Sequence, residues 1–282
     1  MPSDSVQSIL ALLAFPAAGS PRQYMIEKAF AHHDLDWRYL TFEVGPENLN
    51  DAVKGLKALG FRGGHCDTPH KQAIIALLDR ATEIAAAVGA VNVLFRDGEE
   101  LVGDNSEGKG VLGGLRSILD PAGKKIVILG AGRIARATAW ELAAAKAGAI
   151  AVVDRTEGKA AEVARILLGK FPVPIAVVPW QEKYAVPAET DILIHATTLS
   201  QEDPEGLPPL DLGTLRPELL VADVAPDRPQ TPLLHAAASK GCKTLDGLTI
   251  FIEQVAVSFQ LWTGIDPDRN VLREAVEEYW EV

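Results

Sequence analysis

The sequence predicts an α/β protein organised around parallel sheets. Apolar strand-like runs and helix-like segments alternate from end to end, the pattern in which helices cover the faces of a sheet. Lys124 to Gly132, KKIVILGAG, passes from an apolar run into a glycine turn and then an alanine-rich helix. The spacing of the later apolar runs suits right-handed crossovers between parallel strands. At 282 residues the chain is long for one domain, and two are expected.

The elements read in order as follows. Ser8 to Phe15 is a buried strand, Pro21 to His33 a helix and Tyr39 to Val44 a second strand. Glu47 to Leu59 has helical periodicity. Phe61 to Cys66 is short and glycine-containing, and a helix is expected from His70 to Leu78. Ala90 to Arg96 and Glu100 to Val102 form a hairpin about Asp97-Gly98, an Asp-Gly turn signal. After the glycine turn, Ile134 to Ala147 is helical and Ala149 to Val153 is a strand ending at Asp154. Further strands are expected at 175–178, 192–195 and 219–222, with proline-rich loops near 203–209 and 226–232. Leu248 to Trp262 is an apolar helix, and a charged helix from about Asp268 closes the chain.

Composition excludes several function classes. The formal charge of −11 is scattered along the chain, without the basic stripe of a nucleic-acid binder or a surface for anionic lipid. Two distant cysteines, Cys66 and Cys242, make no disulfide framework and suit a reducing cytoplasm. The apolar amino-terminal run lacks a preceding basic segment, so it reads as a strand and not a signal peptide. No apolar stretch reaches the ~18 residues of a membrane helix. His65, Cys66, Asp67 and His70 are all ligand types, but their spacing fits no common zinc pattern, and no metal is expected.

Gly130-Ala131-Gly132-Arg133-Ile134-Ala135 fits G-x-G-x-x-A directly after a strand and at a helix start, the context of a dinucleotide-binding fingerprint. Gly130 permits the tight turn, Gly132 lets backbone approach a pyrophosphate, and Ala135 keeps the helix close to the sheet. The helix amino terminus offers unpaired N–H groups to phosphate. Asp154 falls 22 residues after Gly132, where an acid accepts hydrogen bonds from the adenosine ribose of NAD. Arg155, Thr156 and Lys159 beside it suit the 2′-phosphate of NADP instead. NADP is expected, with NAD as the alternative.

Oxidising an alcohol needs a group that takes the hydroxyl proton as hydride leaves, and a lysine placed by a carboxylate can do this. Thr68-Pro69-His70-Lys71 and Gly103-Asp104-Asn105-Ser106-Glu107-Gly108 offer such a pair. These two segments, with Gly-Ala-Val-Asn at 89–92 between them, precede the 130–135 fingerprint and Asp-Arg-Thr at 154–156. Thr231-Pro232-Leu233-Leu234, Asp246-Gly247-Leu248, Gln254 and Leu261-Trp262-Thr263-Gly264 complete the series. In this order, over nearly the whole chain, they resemble the shikimate dehydrogenase family. The resemblance implies a discontinuous α/β substrate domain, residues 1–105 and 242–282, around a Rossmann-type NAD(P)-binding domain at 106–241. It implies reversible shikimate to 3-dehydroshikimate hydride transfer, a step of aromatic amino acid biosynthesis. Lys71 would be the acid/base group, with Asp104 holding it and bonding the same hydroxyl. Asn92 and Gln254 would bind the other ring hydroxyls, and Ser20 matches the second serine of the family's substrate loop. The expected partner is a small cyclic hydroxy acid or polyol, and the expected assembly a monomer or homodimer.

The departures from that pattern cluster. Ala18 stands for the first serine of the substrate loop and Pro226 for a tyrosine, so two hydroxyls that help hold the substrate carboxylate are missing. Asp67 replaces a neutral hydroxyl near Lys71, where it would stabilise the charged lysine or recognise an amine or extra hydroxyl of the substrate. His195 stands for an asparagine, and Arg133 for a glycine of the phosphate turn. Arg22 is either a replacement cation for the carboxylate or an exposed first-turn residue. These changes keep open two other readings: a quinate, polyol or aminopolyol dehydrogenase, and a non-catalytic nucleotide-binding regulator.

Overall fold

A computed structural model describes residues 6–203 and 205–281. The chain divides into two compact units, one holding the residues up to Ser106 with those from Gln254 onward, the other Glu107–Glu253. Among the described residues no helix is long and apolar enough to cross a membrane.

The first unit contains β1 (Ser8–Ala14), α1 (Arg22–His32), β2 (Trp37–Glu43), α2 (Leu49–Ala58), β3 (Gly63–Cys66), β4 (Arg80–Ala81), α3 (Glu83–Val88), β5 (Val93–Asp97) and β6 (Glu100–Asp104). Its six-stranded sheet has the order β2-β1-β3-β5-β6-β4. Strand β1 pairs parallel to β2 and β3, while β5 runs antiparallel to β3 and β6. Consequently β1, β2, β3 and β6 all end at the same edge, and Asn92, just before β5, begins there. The apolar sequence of β1 follows from its central place: Leu10 to Ala14 are buried, as expected of a strand covered on both faces. Each fully buried leucine contributes roughly 1.5–3 kcal/mol relative to exposure.

The glycines of β3 are imposed by this packing. Gly64 has φ +151°, and a Cβ there would lie 1.8 Å from the carbonyl oxygen of Ala11 on β1. Only glycine tolerates such an approach in that conformation.

The second unit contains α4 (Glu107–Arg116), β7 (Lys125–Leu129), α5 (Arg133–Ala144), β8 (Ala149–Asp154), α6 (Glu157–Leu167), β9 (Ile175–Pro179), β10 (Ile192–His195), α7 (Leu199–Glu202), β11 (Leu220–Asp223), α8 (Pro232–Ser239) and β12 (Lys243–Leu245). Its sheet is wholly parallel, in the order β12-β11-β10-β7-β8-β9. The strand order reverses between β7 and β10, which is the crevice where doubly wound sheets bind ligands. Helix α9 (Gly247–Thr263) crosses the boundary between the units, and α10 (Arg269–Trp280) closes the chain.

Strand β12 hydrogen-bonds to β11 of the second sheet, and the compact second unit runs to Glu253. One expectation needs correction. The segment expected to be helical from His70 to Leu78 is a short 3₁₀ turn, Ala73–Leu77. Its start is diverted at Lys71, whose carbonyl accepts the amide of Val91 at 2.8 Å and cannot also begin an α-helical ladder cleanly.

Candidate active site

The carboxyl edge of the first sheet gathers five of the six substrate and catalytic residues singled out in the sequence. Ser20 lies in the loop after β1, Asp67 and Lys71 follow β3, Asn92 precedes β5, and Asp104 ends β6. Backbone bonds stitch these segments together. The amide of Cys66 donates to Asn92 O at 3.0 Å, that of Asn92 to Asp104 O at 3.1 Å, and that of Val91 to Lys71 O at 2.8 Å. Asp104 is set on a strand, and the segments bearing Asp67, Lys71 and Asn92 are tied to neighbouring chain by backbone bonds, which position groups better than free loops.

Asp67 is the electrostatic centre of this edge. Its Oδ1 accepts the Thr68 amide at 2.8 Å and lies 3.0 Å from Lys71 Nζ; its Oδ2 accepts from Arg22 Nη1 at 2.7 Å. Burial alone would push this carboxyl up, but Arg22 and then Lys71 hold it well below the usual carboxylate range. Lys71 and Arg22 expose only 13% and 12% of their side chains. Arg22 is therefore no exposed first-turn residue: it is drawn inward and paired. Asp104, 3% exposed, accepts from the Thr82 hydroxyl at 2.5 Å. Asn92 Oδ1 accepts the Ser106 amide at 2.7 Å, and its Nδ2 donates to Ser106 Oγ at 3.0 Å. Ser20 Oγ is buried with no hydrogen-bond partner, which leaves it available to a ligand.

Gln254, the sixth, lies in α9 one turn before Ser258. The Ser258 hydroxyl donates to Gln254 O at 3.0 Å, so it accepts from His65 Nε2, also at 3.0 Å. That leaves His65 Nδ1 to accept from the Tyr39 hydroxyl at 2.7 Å. Burial, followed by the nearby Arg22 charge, holds His65 well below the ordinary histidine range, so the ring is neutral. His70 is likewise committed, with Nε2 donating to Val44 O at 2.7 Å. These histidines fasten strands and helix; they do not converge on one point.

In the second unit the fingerprint occupies the expected strand–turn–helix. Gly130 has φ +107°, and a Cβ there would lie 2.7 Å from Ala196 O, just past β10. Ala131 and Ala135 are buried. Gly132 is the N-cap of α5, which begins with Arg133 and Ile134. Asp154 turns Oδ1 onto the Thr156 amide at 2.7 Å, which ties part of the carboxylate to its own turn. A cavity of ≈ 290 Å³ is lined by Asp154, Arg155, Thr156, Lys159, Thr197 and Glu202, among others. Arg155 lies over the Trp180 ring, 6.0 Å from its centroid. These donors and the α5 amino terminus are the chemistry a dinucleotide phosphate requires.

Several participants escaped the sequence reading. Trp180 follows a strand without any motif. Thr82 acts on Asp104 from a position that carries no signature, and Ser106, inside the 103–108 motif, acts on Asn92 without having been given a role. Thr197, directly after β10, had a signal in its place at a strand's carboxyl end. Its hydroxyl contacts His195 Nε2 at 2.6 Å, while His195 Nδ1 meets Asp223 at 3.1 Å. His195 is thus a buried brace between β10, β11 and the loop bordering the cavity.

With this geometry in place, comparison with known proteins is specific. The shikimate dehydrogenase substrate binding domain matches residues 12–94, shikimate / quinate 5-dehydrogenase matches 115–203, and the shikimate 5′-dehydrogenase C-terminal domain matches 247–277. The chain is 38% identical to a shikimate dehydrogenase (NADP(+)) of Moorella thermoacetica over 95% of this chain and 93% of the relative. Among solved structures it is similar to ligand-free 5-ketofructose reductase of Gluconobacter, with 39% identity, TM-score 0.93, and 97% and 99% of the two chains covered. It is also similar to shikimate 5-dehydrogenase of Listeria monocytogenes in complex with shikimate and NAD, with 30% identity, TM-score 0.88, and 96% of each chain covered. By its three successive domain matches and its near full-length relatives, the chain belongs to the shikimate dehydrogenase family.

Proposed function

We propose that this protein is an NADP-dependent alcohol dehydrogenase carrying out hydride transfer of the shikimate to 3-dehydroshikimate type. The observation that carries the reading is Lys71, nearly buried at a sheet edge beside Asp67 and stitched by backbone bonds to the segments bearing Asn92 and Asp104. Lys71 takes the proton of the reacting hydroxyl during oxidation and returns it to the nascent alkoxide during reduction. Asp104 accepts a hydrogen bond from the same hydroxyl, with its own carboxylate aimed by Thr82. Asn92, Gln254 and Ser20 hold the remaining hydroxyls and polar groups of the substrate. The nucleotide supplies the hydride acceptor when bound. Arg155, Thr156 and Lys159 support NADP over NAD, as do the relatives named for it, and the partial engagement of Asp154 by Thr156 reduces its repulsion of a 2′-phosphate. Two free, buried cysteines support a cytoplasmic location.

A second reading, reduction of a keto sugar, is favoured by the Arg22–Asp67 pair and by the Gluconobacter relative named 5-ketofructose reductase. The test is to follow nicotinamide absorbance with shikimate and quinate against NADP and NAD, and with 5-ketofructose against NADPH. Turnover of shikimate with NADP is the expected outcome of the first reading. Cofactor binding with no turnover of any of these would contradict the assignment as a dehydrogenase.

A further inference from the structure

We propose that Asp67 sets the substrate class of this site, selecting uncharged polyhydroxy alcohols and ketones over ring carboxylates. The proposal rests on the hydride-transfer reading above and concerns what that chemistry acts upon.

The first observation is charge balance. At the carboxyl edge of the first sheet stand Arg22, Lys71, Asp67 and Asp104, whose formal charges sum to zero. A substrate carboxylate placed here would make three carboxylates against two cations, whereas an uncharged ligand leaves the balance unaltered.

The second observation is how the two cations are spent. Arg22 and Lys71 both contact the one Asp67 carboxylate, at 2.7 and 3.0 Å. An incoming carboxylate would have to share Arg22 with Asp67 at close range, which like charges oppose. A hydroxyl meets no such opposition. Asp67 retains 27% side-chain exposure, and a carboxylate has about four acceptor directions, so a substrate hydroxyl can donate to it. In the nearby loop, position 18 is the methyl of Ala18, which leaves Ser20 as the side-chain hydroxyl there, buried and unpartnered.

The test compares shikimate with its isosteric primary amide, which keeps the ring hydroxyls and removes only the charge. 5-Ketofructose serves as a non-cyclic uncharged probe. At saturating cofactor, the wild-type kcat/KM for the amide should exceed that for shikimate by about tenfold or more, a difference of ~1.4 kcal/mol. Asp67→Asn should move the acid-to-amide ratio toward shikimate by a similar factor, chiefly through KM. A melting transition like that of the wild type shows that the variant is folded; if it is not, the wild-type ratio decides alone. Turnover of only the uncharged probes also fits the proposal. A wild-type preference for shikimate, or a ratio unmoved in a folded Asp67→Asn, overturns it. Failure of the wild type on all three probes removes the hydride-transfer reading itself, and the proposal with it.

Discussion

Replacing Arg155 by alanine separates the two nicotinamide cofactors. Arg155 follows β8, lies 6.0 Å from the Trp180 ring centroid and borders the ≈ 290 Å³ cavity with Thr156 and Lys159. Its guanidinium can pair with a 2′-phosphate through charge-assisted hydrogen bonds worth ~1.5–3 kcal/mol. Losing them should weaken NADPH binding by ~10–150-fold. NADH lacks that phosphate, and for it only the packing and cation–π contribution of ~0.5–1 kcal/mol is lost, under ~5-fold in affinity. Fluorescence titration of wild type and Arg155→Ala with both reduced cofactors measures this directly. Equal losses for NADPH and NADH, or an unchanged NADPH affinity, would refute the placement of the 2′-phosphate beside Arg155.

Two further predictions concern the first unit. Gly64→Ala drives a Cβ to within 1.8 Å of Ala11 O at φ +151°, so it should cost more than ~3 kcal/mol and show as lost soluble yield or a sharply lowered melting temperature. His65 is buried and neutral, with its pKa held well below the ordinary range by desolvation and then by Arg22. The unfolded chain therefore binds a proton below about pH 6.5 that the folded chain does not, and stability falls with acidity at up to ~1.4 kcal/mol per pH unit. His65→Gln should flatten the wild-type decline in melting temperature between pH 7 and pH 5. An equal slope in both proteins would show that His65 does not titrate as described.

What the sequence made legible depended on whether chemistry was written locally. The run from Lys124 to Ala135 carries strand, turn and helix start in consecutive residues, and the structure reproduces it at β7, Gly130 and α5. Alternating apolar runs gave the two sheets, since a strand buried on both faces cannot hide its composition. The segment after Pro69 misled because its helical pattern was overridden by a distant partner, Val91, claiming the Lys71 carbonyl. Helix α4 carries little propensity of its own, because Glu107 to Arg116 contains four glycines, and it owes its helicity to packing. The closeness of Asp67 to Lys71 was expected from its place in the loop before the lysine, where it departs from the family pattern. The pairing of Arg22 with Asp67 was not, because 45 residues and two strands separate them. Thr82 and Trp180 act through tertiary placement alone and left no trace in the sequence.

The most direct test of the central claim is the effect of Lys71→Ala on turnover and on cofactor binding, measured in the same preparations. In Lys71→Ala, kcat on the best substrate should fall by ~10²–10⁴-fold, the usual contribution of a positioned acid/base group, while NADPH affinity stays within about threefold of wild type. Turnover that survives in Lys71→Ala would contradict the assignment of proton transfer to this lysine.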